Sequence, residues 1–134
     1  DKVEVFNLQS VEEDQKRIIK EKQADKIYKA LVQLDKDIIN QDLFNLDDLK
    51  GIVKQKTPSR VLKTRSDKLR TRKIYHITAE IIAAKKLEVI IKAEAGTYIK
   101  EFISGDQGRT EPSISQALNC QAECEKLDVI GIDN

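Results

Sequence analysis

Apolar and polar residues alternate over VEVFNL, residues 3–8, and again over DKIYKALVQL, residues 25–34. Alternation sends successive side chains to opposite faces, so both stretches predict strands. In the second, Ile27, Leu31 and Leu34 also fit a helical period, whereas Tyr28 and Val32 do not. The cluster of Ile, Tyr and Val decides for a strand. Between the two, SVEEDQKRIIKEK opens on Ser10 with Glu13 three residues later. That reciprocal capping pattern predicts a helix over 11–22. QDLFNLDDLKG predicts a short helix ending at Gly51. QKTPSRVLKTRSDK is broken by Pro58 and reads as a loop with room for one helical turn.

The pattern sharpens further on. Residues 72–82 alternate, 83–86 turn, and 87–95 alternate again, which predicts a long hairpin. TYIKEFISGD spaces Tyr98, Ile99, Phe102 and Ile103 as a helix does, with Thr97 as its cap and Gly105 as its stop. EPSISQALN predicts a second short helix with Pro112 in its first position. CEKLDVIGID closes as a strand. Strand, helix, strand, hairpin, two helices and strand make an α+β domain: a mostly antiparallel, mixed sheet with a few short helices on one side.

Composition changes this picture in three places. The 134 residues suffice for one domain, and 40% hydrophobic content supports a modest core. The chain holds no Met, even at position 1, which points to a piece of a longer protein. No stretch of 18 apolar residues and no signal-peptide pattern occur, so neither a membrane span nor secretion is expected. Two cysteines, Cys120 and Cys124, are too few for a disulfide framework and suit a reducing compartment.

The net charge of +1 conceals a segregated distribution. Residues 54–73 carry nine basic side chains against Asp67 alone, while the flanks are acidic. Such a strip suits phosphate binding by counterion release; a solvated Lys- and Arg-rich loop is the plainer reading. The spacing of Arg65, Arg70 and Arg72 favours binding, because a guanidinium fits a phosphate bidentately.

Other candidate chemistry is sparse. His76 is the only histidine and sits in a predicted strand, so it reads as structural. The Cys pair lacks the further ligands a zinc site requires, and no metal is expected. No glycine-rich phosphate loop is present. What remains is AGTYIKEFISGDQGRT, residues 95–110. Gly96 frees the backbone where a strand becomes a helix. Lys100 then falls in the helix's first turn, where the helix dipole disfavours a cation. It is therefore either solvated or set against an anion. Gly105 and Gly108 flank a loop that delivers Arg109.

AGTYIKEFISGDQGRTEPSIS resembles the C-terminal signature of the archaeal and eukaryotic tRNA pseudouridine synthases that modify uridines 54 and 55 of the T-arm. GTYIK is similar to the GTYIR motif of related bacterial enzymes, with Lys in place of Arg. QKTPSRVLKTR and DKIYKAL resemble further stretches of the same family, the latter its K-x-Y motif.

The resemblance implies a pseudouridine-synthase-like half domain over residues 1–134, with an RNA-contact segment at 54–73 and the signature at 95–116. It implies an aspartate that attacks a uridine flipped out of the RNA. Lys100 stands where the family's basic residue pairs with that aspartate, and Tyr28 where a tyrosine stacks on the target base. Leu118, with Ile114, would line the pocket's apolar wall; on pattern alone both are core residues. Arg60, Lys63, Arg65, Arg70, Arg72 and Arg109 would meet the RNA. The family's Gly-Arg-Glu-Asp motif is absent from this sequence, so the nucleophile is expected in the remainder of the parent enzyme, and this chain alone is expected to be inactive. No cofactor is implied. The partners are tRNA and the rest of the parent, in the cytoplasm of an archaeon or the nucleus and cytoplasm of a eukaryote. A non-catalytic RNA-binding or interaction module on the same fold is the alternative.

Overall fold

The computed structural model of the chain describes residues 24–133. The strand expected at 3–8 and the helix expected at 11–22 lie outside the described residues. Among the described residues six strands form one sheet: β1 (Asp25–Leu34), β2 (Gly51–Lys56), β3 (Leu69–Ala83), β4 (Lys86–Ala93), β5 (Thr110–Glu111) and β6 (Ala122–Asp133). Their spatial order is β5-β2-β3-β4-β1-β6, and every neighbouring pair is antiparallel.

Alternation decided β1 correctly. Ala30, Val32 and Leu34 are buried on one face, while Lys29 and Gln33 face water. The hairpin is also as expected, except that β3 starts at Leu69. The extra residues pair with β2, from Lys56↔Leu69 to Gly51↔Ile74, before β3 turns to β4. An irregularity between Ile74 and His76 marks the change of partner and keeps Ile74 and Ile77 both on the core side. β2 was not expected: its first residue is the glycine expected to end a helix and its last two open the stretch expected as a loop. Its inward positions are Val53 and Gln55, so only one of them carries the apolar signal.

Short helices cover one face of the sheet. A 3₁₀ helix (Asn40–Leu49) stands where an α-helix was expected, and Gly51 opens β2 instead of capping it. Helix α1 (Ile99–Ser104) ends at Gly105, whose φ of 85° is the left-handed conformation the stop requires. Thr97 is not its cap: Tyr98 takes that position without a side-chain bond. The Thr97 hydroxyl instead donates to Glu94 O at 2.7 Å, closing the preceding turn. Helix α2 (Ile114–Leu118) starts two residues after Pro112, because Ser113 is its N-cap and accepts from the Gln116 N–H. Further 3₁₀ turns occupy Ser59–Val61 and Asp106–Gly108.

Leu46 and Leu49 of the long 3₁₀ helix, Phe102 and Ile103 of α1, and Ile114 and Leu118 of α2 join the inward strand residues in a single core. Phe102 is fully buried, and truncating such a side chain costs about 3–5 kcal/mol. The opposite face, with Ile52, Ile82 and Ile90, is exposed. No helix among the described residues is long and apolar enough to cross a membrane.

Candidate functional site

The turn from β4 into α1 is fixed from two sides. Gly96 has φ +85°, and a Cβ placed there would lie 3.1 Å from Nε of Arg72. The glycine thus serves both the backbone conformation and the close approach of a guanidinium. On the other side, Gln55 of β2 is fully buried. Its Oε1 accepts from the Tyr98 N–H at 2.9 Å, and its Nε2 donates to Tyr98 O at 2.9 Å. The same amide reaches Thr110 Oγ1 at 3.4 Å. One side chain therefore holds the first residue before α1 and touches the start of β5.

Lys100 leaves this anchored turn exposed to solvent, and it makes no salt bridge among the described residues. Its charge is felt at Cys124 of β6: burial pushes that thiol up, and Lys100 pulls it the other way. The neighbouring Glu101 is buried, at 6% exposure, and is turned away toward Arg60, whose Nε donates to its Oε2 at 2.8 Å. That hydrogen bond holds the Arg60 guanidinium above its usual range. Glu101 Oε1 is buried without a hydrogen-bond partner among the described residues.

The basic segment is a closed loop. Thr57, fully buried, gathers its two ends. The Thr57 N–H donates to Lys68 O at 2.9 Å. Its hydroxyl donates to Ser66 O at 2.8 Å and accepts from Lys68 N–H and Arg70 Nη1, each at 3.0 Å. Arg70 also lies over the Tyr98 ring, 5.9 Å from its centroid, which ties the loop to the α1 turn. Lys63 and Arg65 sit at the exposed tip. A loop with ordered ends and cations at its tip presents charge at reduced entropic cost.

The sequence candidates do not all meet. Arg109 is engaged as a strut: it donates to Thr57 O at 3.0 Å and to Asp67 Oδ1 at 2.6 Å. It lies beside β5, four strand intervals from β1 in the sheet order, about 19 Å at ordinary strand spacing. Tyr28 of β1 lies on the helix-bearing face between Ile91 and Val129, half-buried. Val32, on the same face, pairs with Cys124, so Tyr28 and the Lys100 region are about 13 Å apart along the strand. Val129, opposite Tyr28, is 51% exposed, so the helices among the described residues leave that end of the face uncovered. Leu118 is 1% exposed and, like Ile114, belongs to the core. Cys120 precedes β6 and Cys124 lies within it, both free thiols. Arg70 and Arg72 are partly buried and hold the turn, whereas Arg60, Lys63 and Arg65 are exposed. The sequence reading missed Gln55, Thr57 and Glu101. For Gln55 the available signal was a polar residue at an inward position of an unrecognised strand; Thr57 follows that strand and Glu101 lies in α1, and no local pattern marks either.

Known proteins resemble this chain in both sequence and fold. A family described as "Pus10, C-terminal" matches residues 1–133. The tRNA pseudouridine synthase Pus10 of Methanosphaera stadtmanae is 44% identical over 98% of the chain, and that of Mus musculus 38% over 99%. The chain spans 32% and 26% of those proteins' lengths. A crystal structure of a Cbf5-Nop10-Gar1 complex contains a chain that superposes with TM-score 0.68 at 25% identity, over 87% of this chain and 33% of that one. With nearly every residue matched by one family and by relatives from archaea and a mammal, the chain belongs to the Pus10 C-terminal family.

Proposed function

We propose that this chain forms part of the catalytic domain of a tRNA pseudouridine synthase that isomerises uridine 54 or 55 of the T-arm. The glycosidic C–N bond breaks, the base rotates, a bond forms to carbon 5, carbon 5 gives up its proton and the freed ring nitrogen holds one, so the composition of the nucleotide is unchanged. The observation that carries this reading is Lys100: a cation in the first turn of a doubly anchored helix, exposed and without an anionic partner among the described residues. The helix dipole opposes a cation there, so an incoming carboxylate relieves an existing conflict. A cation beside a carboxylate keeps it ionised and nucleophilic. In this reading the aspartate comes from the rest of the parent protein. Tyr28, on the uncovered end of the same face, stacks on the flipped uridine. Lys63, Arg65 and the exposed part of Arg60 meet tRNA phosphates.

The test is Lys100→Ala in the full-length protein. Pseudouridine formation should be abolished while the thermal unfolding midpoint stays within a few degrees of the parent. Near-normal turnover sinks the assignment, and turnover lost while tRNA binding is kept separates it from a module that only binds RNA.

A further inference from the structure

We infer that Gln55 is a positioning residue for the reaction, acting on Lys100 through the backbone of Tyr98; this rests on the reading of Lys100 given above. The amide is fully buried and forms a matched donor–acceptor pair with one residue, both bonds at 2.9 Å. That residue is the N-cap of α1, two positions before Lys100, and it has no side-chain cap of its own. At most helix starts a local Ser, Thr or Asp fixes the entry of the chain. Here that task falls to a side chain from β2, 43 residues away and flanked by β5 and β3. The α1 helix is only six residues long, too short to hold its own direction by helical cooperativity. Its first turn therefore takes its orientation from what is bonded to Tyr98.

The type of side chain matters. A primary amide presents a donor and an acceptor side by side, which matches a backbone N–H and C=O. An apolar residue of similar size supplies neither: the Tyr98 N–H loses its partner, and Tyr98 O keeps only the Phe102 N–H at 3.0 Å. A carboxyl supplies both only while protonated; once ionised it faces Tyr98 O with an acceptor. Gln55 also touches Thr110, so the same amide keeps the α1 turn in register with the strand that follows Arg109. The charged and titratable groups that face it are Arg70, its pairing partner on β3, and Tyr98, whose ring lies under the Arg70 guanidinium.

The experiment uses the full-length protein with Gln55→Leu, Gln55→Glu and Lys100→Ala, measuring single-turnover pseudouridine formation with protein in saturating excess over tRNA, and tRNA affinity separately. Gln55→Leu should lower the single-turnover rate by roughly tenfold to a hundredfold, the scale expected when a reacting group is displaced by about an ångström. Its tRNA affinity should stay close to the parent's. Gln55→Glu should approach the parental rate at acid pH and fall behind it as pH rises and the carboxyl ionises. A folded Gln55→Leu protein with parental rate overturns the inference, as does a loss confined to tRNA affinity. If Gln55→Leu does not fold, the Gln55→Glu series decides: a rate ratio to the parent that does not change with pH overturns the inference. Lys100→Ala separates the two readings. Parental turnover in that variant removes the role of Lys100, whereas inactive Lys100→Ala beside fully active Gln55 variants removes only the role of Gln55.

Discussion

Replacing Thr57 by Val removes one hydroxyl and keeps the shape, so it isolates what closes the basic loop. The hydroxyl has one donor and two acceptor sites, and all three are used, by Ser66 O, Lys68 N–H and Arg70 Nη1. Two neutral bonds at about 1 kcal/mol each and one to a cation at about 2 kcal/mol give a ceiling of about 4 kcal/mol. Ser66 and Lys68 are exposed and Arg70 is partly so. Water therefore replaces part of the bonding, and the expected cost is about 2 kcal/mol. Thr57→Ser keeps the hydroxyl and loses one buried methyl, which costs about 1 kcal/mol. Urea unfolding of the chain at unchanged m-value reads the difference as a shift in midpoint. Trypsin supplies an independent measure: cleavage after Lys63 or Arg65 should be faster in Thr57→Val and near parental in Thr57→Ser. A Val variant no less stable than the Ser variant, with no faster cleavage, refutes the view that the hydroxyl latches the loop.

Arg60→Ala strips the buried Glu101 carboxylate of its cation. With the Arg60 side chain 55% exposed, the expected loss is about 1–2 kcal/mol, below the range for fully buried pairs. Adding Glu101→Gln should recover much of it, and a double-mutant cycle without coupling argues against the pair. Neutralising Lys63 and Arg65 in the full-length protein should flatten the salt dependence of tRNA binding by about 1.5 in log–log slope, and an unchanged slope removes them from the phosphate contact. Burial pushes up the Tyr28 hydroxyl and the Cys124 thiol, and the hydrogen bond to Asp133 raises Lys92. In all three the folded state holds the proton more tightly. That stabilisation is complete below the ordinary values of 9.0 for Cys, 10.0 for Tyr and 10.5 for Lys, and is lost as pH rises through the folded ones. The thermal midpoint should thus hold steady up to about pH 8 and fall above it, and a rise with pH in that range contradicts the sign.

Much of the sheet could be read from residues alone, because β1 and β4 bury apolar side chains at alternate positions, while β3 and β6 keep enough alternation of residue type to read as strands although β6 buries only Ala122. β2 was hidden because its second inward residue is an amide bonded to the backbone of a distant turn, between outward Lys54 and Lys56. β5 is two residues long and exists only by pairing with β2, so no local pattern marks it. The helix starts were misplaced by one or two residues for a related reason. Tyr98 needs no capping side chain because Gln55 meets its backbone, and Ser113 outcompetes Pro112 because its hydroxyl reaches Gln116. Lys100 was legible because a cation at a helix start violates a local rule. Arg109 was equally conspicuous, yet its partners lie 42 and 52 residues away, and only the fold shows that it braces the loop.

The pairing of β1 with β6 bears on the order in which the molecule comes together. β1 acquires β4 as one neighbour once the hairpin exists, but its other neighbour joins Asp25 to Asp133 and Leu34 to Ala122. Roughly a hundred residues must leave the ribosome between the two strands, so this ladder carries a large share of the contact order and forms late. Tyr28 sits in that ladder opposite Val129. A nascent chain halted before β6 therefore already contains the hairpin and the basic loop, while the base-stacking tyrosine of the proposed site still waits for its second flanking strand.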